Sequence, residues 1–382
     1  MNKKEIGEIK KQFTPENCAI TRICGCYVDG EKNKKTTFKE AFLSLPEEEI
    51  FKYFELLRKT LSGTIGKNLL NLEFPLTSEE EGGTQEFLLR LRDSKLKDDI
   101  LLDEFYDKVI SSYEYVGNYL ILIIHDAYDV PGKTTDGLMM DDASDTVYEY
   151  ILCCICPVNL SKPGLSYDAE SNEFHNRVRD WIVEVPEAGF LFPAFNERGS
   201  DVHSTLYYSK NPEEAHPEFV DLILGAVLPL SAGNQKETFH TLVAETLGDE
   251  ADYEVIKNIH ENLTEMIDEH KEIPEPLALD KQQVKRLLEK SGVAEEKLED
   301  FEQIYDAAAG EKTALLVDNV ANTRTFEVKT PDVVVKVNPE RTSLVTTRTL
   351  DGKPCLVIEL DQSVEVNGIA VRSGKSLQEI LE

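Results

Sequence analysis

The chain has 382 residues, 41% of them hydrophobic, and carries 72 Asp or Glu against 41 Lys or Arg, a formal net charge of -31. That composition excludes disorder throughout and supports two or three cores of ordinary size. So anionic a protein repels phosphate backbones and anionic lipid unless it holds a locally basic patch.

The first residues, Met1 to Phe13, read as a charged amphipathic helix with Lys3, Lys4, Lys10 and Lys11, without the apolar stretch of a signal peptide. Seven cysteines, an odd number, fit reduced thiols in a cytoplasmic protein. Cys18 to Val28 is rich in β-branched and small residues and is closed by Asp29-Gly30, which predicts a strand and a tight turn. Phe38, Phe42 and Leu45, then Ile50, Phe51, Phe54, Leu57 and Leu61, recur at helical spacing and predict a helical pair ended by Gly63 and Gly66. Residues 85–115 read as one or two amphipathic helices through Leu88, Leu91, Leu101, Phe105, Val109 and Ile110.

Tyr119 to Ile124 and Val147 to Cys156 are continuous apolar runs, the pattern of central strands buried on both faces. They are far shorter than the ~20 residues of a membrane span, so no transmembrane helix is expected. A long Gly- and Asp-rich loop is expected between them. Trp181 to Val185, Phe190 to Phe195 and Val202 to Tyr208 complete the sheet. From Pro212 the pattern turns helical, over Phe219 to Leu224, Phe239 to Leu247, Tyr253 to His270, Lys281 to Lys290 and Glu295 to Ala308. Short strands follow at Thr325 to Lys329, Val333 to Val337, Leu344 to Leu350 and Leu356 to Leu360, with Asp351-Gly352 as a hairpin turn. The expected fold class is α+β: a mixed or antiparallel sheet with flanking helices over 1–210, an acidic helical middle region over 211–312, and a small β-rich C-terminal unit over 313–382.

The charge is unevenly spread. Met1 to Leu72 holds 13 basic and 10 acidic residues, and Asn319 to Glu382 holds 8 and 9. The 246 residues between them carry 20 basic and 53 acidic residues, so the two ends remain open to an anionic partner.

Few residues suggest chemistry. Gly63-Thr64-Ile65-Gly66-Lys67 has too few residues between its glycines for a phosphate loop, is followed by Asn68 and follows a helix, so it reads as helix termination. Cys24 with Cys26, and Cys153, Cys154 and Cys156, lack the spacing of zinc knuckles, and strand periodicity makes them small apolar filler. No metal or cofactor is implied. His125 and Asp126, at the expected end of the most hydrophobic strand, stand before a loop holding Asp129, Asp136, Asp141, Asp142 and Asp145. They are the candidates for a metal-dependent or general acid/base site. The other histidines form no metal-binding pair, and no nucleophile elbow is present. Lys32, Lys34, Lys35 and Lys39 with Arg22 form the one concentrated basic feature, to be weighed against an ordinary solvated turn and helix face.

Two resemblances add to this. KKEIGEIKKQFTPENCAITRICGCYVDGEK, followed by FLSLPEEEIFKYFELLRKTLSGTIGKNLLNLEFP, resembles over essentially the full length a bacterial family known as domain of unknown function 4317. That likeness implies a cytoplasmic bacterial protein and supplies no activity. From about Gly189 to residue 372, FNERGSDVHSTLYYSK, FVDLILG, PDVVVKVNPE, DGKPCLVIEL and VEVNGIAV are similar to the bacterial nucleoid-associated protein family, with Arg198-Gly199 where that family has a glycine- and arginine-containing turn.

This second resemblance implies chromosome association, local or through a partner. The leading expectation is therefore a non-enzymatic, nucleoid-associated protein, with Arg22, Lys32, Lys34, Lys35, Arg198, Arg341 and Arg348 as candidate contacts to DNA, or with a basic nucleoid protein as partner. A homo-oligomer is compatible with it. The alternatives are an acidic scaffold that binds basic proteins and a metal-dependent enzyme centred on His125 and Asp126.

Overall fold

A computed structural model describes residues 1–133, 139–248, 251–359 and 364–371. The chain folds as two compact units, Met1–Asn234 with Ile273–Pro276, and Gln235–Glu272 with the chain from Leu277 onward.

The first unit is built on one antiparallel sheet. Its elements are helix α1 (Lys3–Lys10), strands β1 (Arg22–Val28) and β2 (Lys34–Ala41), helix α2 (Glu47–Thr60), β3 (Leu69–Glu73), helices α3 (Thr84–Asp93) and α4 (Asp99–Ser112), the long strands β4 (Asn118–Lys133) and β5 (Met139–Leu160), the short strands β6 (Leu165–Asp168), β7 (Glu173–Asn176) and β8 (Trp181–Val183), then β9 (Ala188–Phe192), β10 (Ala194–Asn196), β11 (Gly199–Asp201) and β12 (Ser204–Ser209). The strand order is β2-β1-β4-β5-β9-β12-β3, with β8 added beside the far end of β5.

Both faces of this sheet are covered, which is why its central strands read as unbroken apolar runs. On one face Cys24, Cys26, Ile121, Ile123, Cys153, Ile155 and Phe190 pack against Leu88 and Leu91 of α3, Phe105 and Val109 of α4, and Phe219 and Ile223. On the other, Ile23, Leu122, Ile124, Cys154, Cys156, Leu191 and Tyr208 meet Ile6 and Ile9 of α1 and Phe54 and Leu57 of α2. Asn2 caps α1 in a box with Glu5, each side chain bonding the other's backbone N–H.

The second unit packs helices α6 (Ala232–Leu247), α7 (Tyr253–His270), α8 (Lys281–Lys290) and α9 (Phe301–Ala308), which follow the three-residue α5 (Pro217–Phe219) of the first unit. Their core holds Phe239, Leu242, Leu263, Leu287, Phe301 and Tyr305. Asp280 and Gln283 form a second capping box that starts α8. Two-stranded pieces follow, among them Phe326–Lys329 with Val334–Val337 and Val345–Leu350 with Lys353–Ile358, the latter turning at Asp351-Gly352 as the sequence predicts.

The mixed α+β class holds, and two local expectations do not. Residues 34–41 form a strand, not a helix. They pair along β1 from Arg22↔Ala41 to Val28↔Lys34 as an outer strand, where exposure removes the alternation that would have marked it. The stretch after Ile124 is not a loop: β4 runs on to Lys133, pairing Asp126 with Tyr150 and Tyr128 with Tyr148. His125 and Asp126 therefore lie inside a strand, not at its end. Asp136 falls outside the described residues. The strand β3 carries no strong pattern in the sequence, and Leu69 to Glu73 is secured by pairing with β12.

Candidate functional site

The basic candidates sit on two structures of the first unit. Lys34 and Lys39 project from β2 toward a carboxylate stripe on α4, where Asp99, Asp103 and Asp107 recur every four residues and so share one helix face. Lys34 Nζ lies 2.5 Å from Asp103 and 2.9 Å from Asp107. Lys39 pairs with Asp99. Around the preceding turn Lys32 lies 2.8 Å from Glu114 and Lys35 3.0 Å from Asp29. Asp29 also accepts from the backbone of Asn33 and Glu31, and these bonds, led by Asn33 and then Lys35, hold its carboxyl down at about 2. Each lysine of the cluster thus already faces a carboxylate.

Arg198 is a structural side chain. Glu197 and Arg198 take φ of 52° and 58°, the left-handed pair that closes the tight β10–β11 turn. The turn aims the guanidinium at Glu8 of α1, 2.9 Å away, and Tyr128 donates to the same carboxylate at 2.8 Å. Only 19% of the Arg198 side chain and 21% of that of Glu8 is exposed, so this cluster fixes α1 to the sheet. Arg22 is half-buried at the start of β1. Arg341 and Arg348 belong to the second unit, with Arg348 3.7 Å from Glu359.

These pairs are partly exposed and individually weak. Lys34→Gln is expected to cost only about 0.5–1 kcal/mol, less in high salt, as urea denaturation at two ionic strengths would show. Were Lys34 a phosphate contact, the same variant would lower the salt slope of DNA binding by about one.

His125 and Asp126 are both buried, yet as strand neighbours they address opposite faces of the sheet. His125 falls on the face of Ile121 and Ile123, its Nε2 3.7 Å from Glu149, too long for a hydrogen bond. Burial outweighs the Glu149 charge and holds the imidazole below its ordinary value, in the neutral form. Glu149 is itself drawn to Lys95, 2.9 Å away. Asp126 lies on the other face, where Tyr150 donates to it at 2.8 Å and the Ala127 N–H at 2.9 Å. Burial raises its carboxyl above the ordinary value despite both bonds. The two residues cannot serve one substrate. Among the described residues no group of three His, Cys, Asp or Glu side chains is placed to hold a metal ion.

The cysteines are split as strand periodicity requires: Cys24, Cys26 and Cys153 face one core, Cys154 and Cys156 the other. Cys24 and Cys153 flank Ile123 in the ladder, so the two sequence clusters do approach across one strand. Burial pushes the thiols up, to about 11 for Cys24 and Cys26 and about 12 for Cys154, which keeps them protonated and poor ligands. The Gly63–Lys67 turn spends its N–H groups internally, Gly66 on Leu69 O and Lys67 on Thr64 O, leaving no phosphate cradle.

A family model described as a domain of unknown function, DUF4317, matches residues 1–369 of the 382. The chain belongs to that family. No curated protein matches it. The DUF4317 match spans both compact units, and its description names no activity. Among the described residues of this DUF4317 chain, no helix is long and apolar enough to cross a membrane.

Proposed function

We propose that this DUF4317 protein is a non-enzymatic cytoplasmic binding protein whose partner is a basic protein, and that any association with the nucleoid runs through such a partner. The observation that carries this reading is the pairing of Lys32, Lys34, Lys35, Lys39 and Arg198 with carboxylates. A duplex-binding surface gains its affinity by placing free cations on phosphates and releasing condensed counterions. A lysine that already holds a carboxylate brings that anion to the phosphates as well.

The distribution of the remaining charge points the same way. Residues 73–234 of the sheet unit carry 31 acidic and 11 basic residues, a larger excess than the 22 and 9 of residues 235–318. The anionic field therefore belongs to the folded sheet unit as much as to the helical region, and it favours encounter with a cationic surface. Such a surface imitates the charge of nucleic acid without its sequence.

The test is capture on the immobilised full chain from nuclease-treated lysate, followed by elution with a salt gradient. Captured proteins are expected to be basic, to leave at moderate salt and to be unaffected by the nuclease. A partner set without charge bias, or one lost on nuclease treatment, would overturn the proposal.

A further inference from the structure

Between β5 and β9 the chain leaves the body of the first unit, and every residue from 162 to 185 is exposed. This arm is ordered by its own bonds. Strands β6 and β7 pair in register, Leu165 opposite Asn176 and Tyr167 opposite Phe174, with the two rings 5.4 Å apart. The Tyr167 hydroxyl donates to Asn172 in the turn. At the root, Ser161 N–H bonds Asp180 O and the Arg179 guanidinium bonds Ser161 O. Strand β8 then runs along the end of β5, pairing Trp181 with Leu160 and Val183 with Val158, and its other edge lies in no ladder among the described residues.

Such an arm is unexpected in a free monomer. An isolated two-stranded hairpin is marginal in water without a hydrophobic face to cover. This one exposes Leu165 at 75%, Tyr167 at 55%, Phe174 at 70%, Val178 at 81% and Trp181 at 56%, with Ile182, Val183 and Val185 beside them. Leu165, Tyr167 and Phe174 share one face of the hairpin and Trp181 and Val183 one face of β8, and by ordinary side-chain areas these five offer roughly 500 Å² of apolar surface, as much as the ~300–600 Å² of the largest patch on a typical monomer. A standard interface takes ~800 Å² from each partner, of which an apolar centre of this size with a polar rim supplies the usual composition.

We propose that this arm is a dimerisation element that packs against the same arm of a second copy about a two-fold axis. The charges on the arm select that occupant. Its tip holds Asp168, Glu170 and Glu173, with Asp168 directly opposite Glu173 in the ladder, a like-charge pair whose nearest basic neighbour is His175, 3.7 Å from Glu173. Its root holds Lys162, Arg177 and Arg179 against the one carboxylate of Asp180 and is net positive. A two-fold axis across the arms apposes the Leu165, Tyr167 and Phe174 faces of the two copies head to tail, leaves Asp168 and Glu173, which alternate to the other face, at the margin beside the partner's basic root, and is self-complementary, as an isologous contact must be. A generic cationic partner would meet the tip and be repelled by the root.

Trp181 is the only tryptophan of the chain and stands at the root of the arm, so it reports the contact directly. Sedimentation equilibrium of the full chain is expected to give twice 43.2 kDa, with Trp181 emission moving to the red as dilution separates the copies. Tyr167→Ser with Phe174→Ser is expected to give a monomer that still unfolds cooperatively, because the arm packs on neither core, with a midpoint that no longer rises with protein concentration as the parent's does. Glu173→Lys alone should weaken the dimer about tenfold, and Glu173→Lys with Arg177→Glu should recover most of that loss. A chain that is monomeric at every micromolar concentration overturns the proposal. So does a dimer indifferent to these variants, or an arm that instead binds lipid vesicles as a monomer.

Discussion

Gly189→Ala is expected to cost about 3 kcal/mol and to lower the unfolding midpoint of the sheet unit by roughly 10 °C. Gly189 lies in β9 beside the central strand β5, opposite Cys154 in the ladder. A Cβ there would press on the Cys153 carbonyl oxygen and stand 2.6 Å from Thr60 Cγ2. Neither can yield. The carbonyl belongs to the middle strand of the sheet, and Thr60 is held at the end of α2 by the hydrogen bonds of its hydroxyl with Leu56 O and Cys154 Sγ. The close approach of α2 to the sheet thus depends on a missing side chain. Gly7 in α1 is the opposite case, since a Cβ added to it would meet nothing within 4 Å. Gly7→Ala should therefore raise stability slightly, by up to about 1 kcal/mol. Thermal melts of the two variants beside the parent would check both signs, and equal midpoints for Gly189→Ala and the parent would contradict the tight packing inferred at that glycine.

The second large effect is a pH dependence centred on Asp126. Burial raises its folded value above the ordinary 3.8, so over the window above 3.8 the folded chain keeps a proton that the unfolded chain has lost. Stability contributed by this group is full below that window and falls as pH rises through it. At neutral pH Asp126→Asn is therefore expected to be more stable than the parent, with the advantage fading as the pH approaches 3.8. Tyr150→Phe should act in the opposite sense. It removes the hydroxyl 2.8 Å from the carboxylate, leaves a buried acceptor short of a donor, and costs about 1–3 kcal/mol at pH 7. His125 tilts the other limb. Its folded value is lowered by burial, so its neutral form stabilises the fold above the ordinary 6.5, and that contribution is lost as pH falls. Denaturant titrations of the two variants at pH 4 and pH 7 would separate these contributions.

Much of the sheet was legible because its central strands carry a signal that needs no partner. Tyr119 to Ile124 lacks any period, and only a strand covered on both sides uses such a run. The helices Tyr253–His270 and Lys281–Lys290 were equally plain from their apolar spacing. Strand β2 was not, because Phe38, Phe42 and Leu45 happen to fall at helical intervals and its other residues face solvent. The lysine pairs were hidden for a different reason. Lys34 and Asp103 are 69 residues apart, and nothing local to either marks the other. The four-residue recurrence of Asp99, Asp103 and Asp107 was the available clue that a carboxylate stripe would face a basic strand. The strand at Trp181 is legible but the exposure of the arm is not, because hydrophobicity alone sends Leu165, Tyr167, Phe174 and Trp181 inward, and here they stay outside.

The sign of the partner's charge is the central claim, and fluorescence anisotropy of the full chain against two labelled probes tests it most directly. One probe is a lysine-rich peptide and the other a short DNA duplex, each titrated from low to physiological salt. The expected result is saturable binding of the peptide that weakens steeply with salt, and no binding of the duplex by the chain alone even at low salt. Binding of the duplex at low salt, with the peptide ignored, would contradict it.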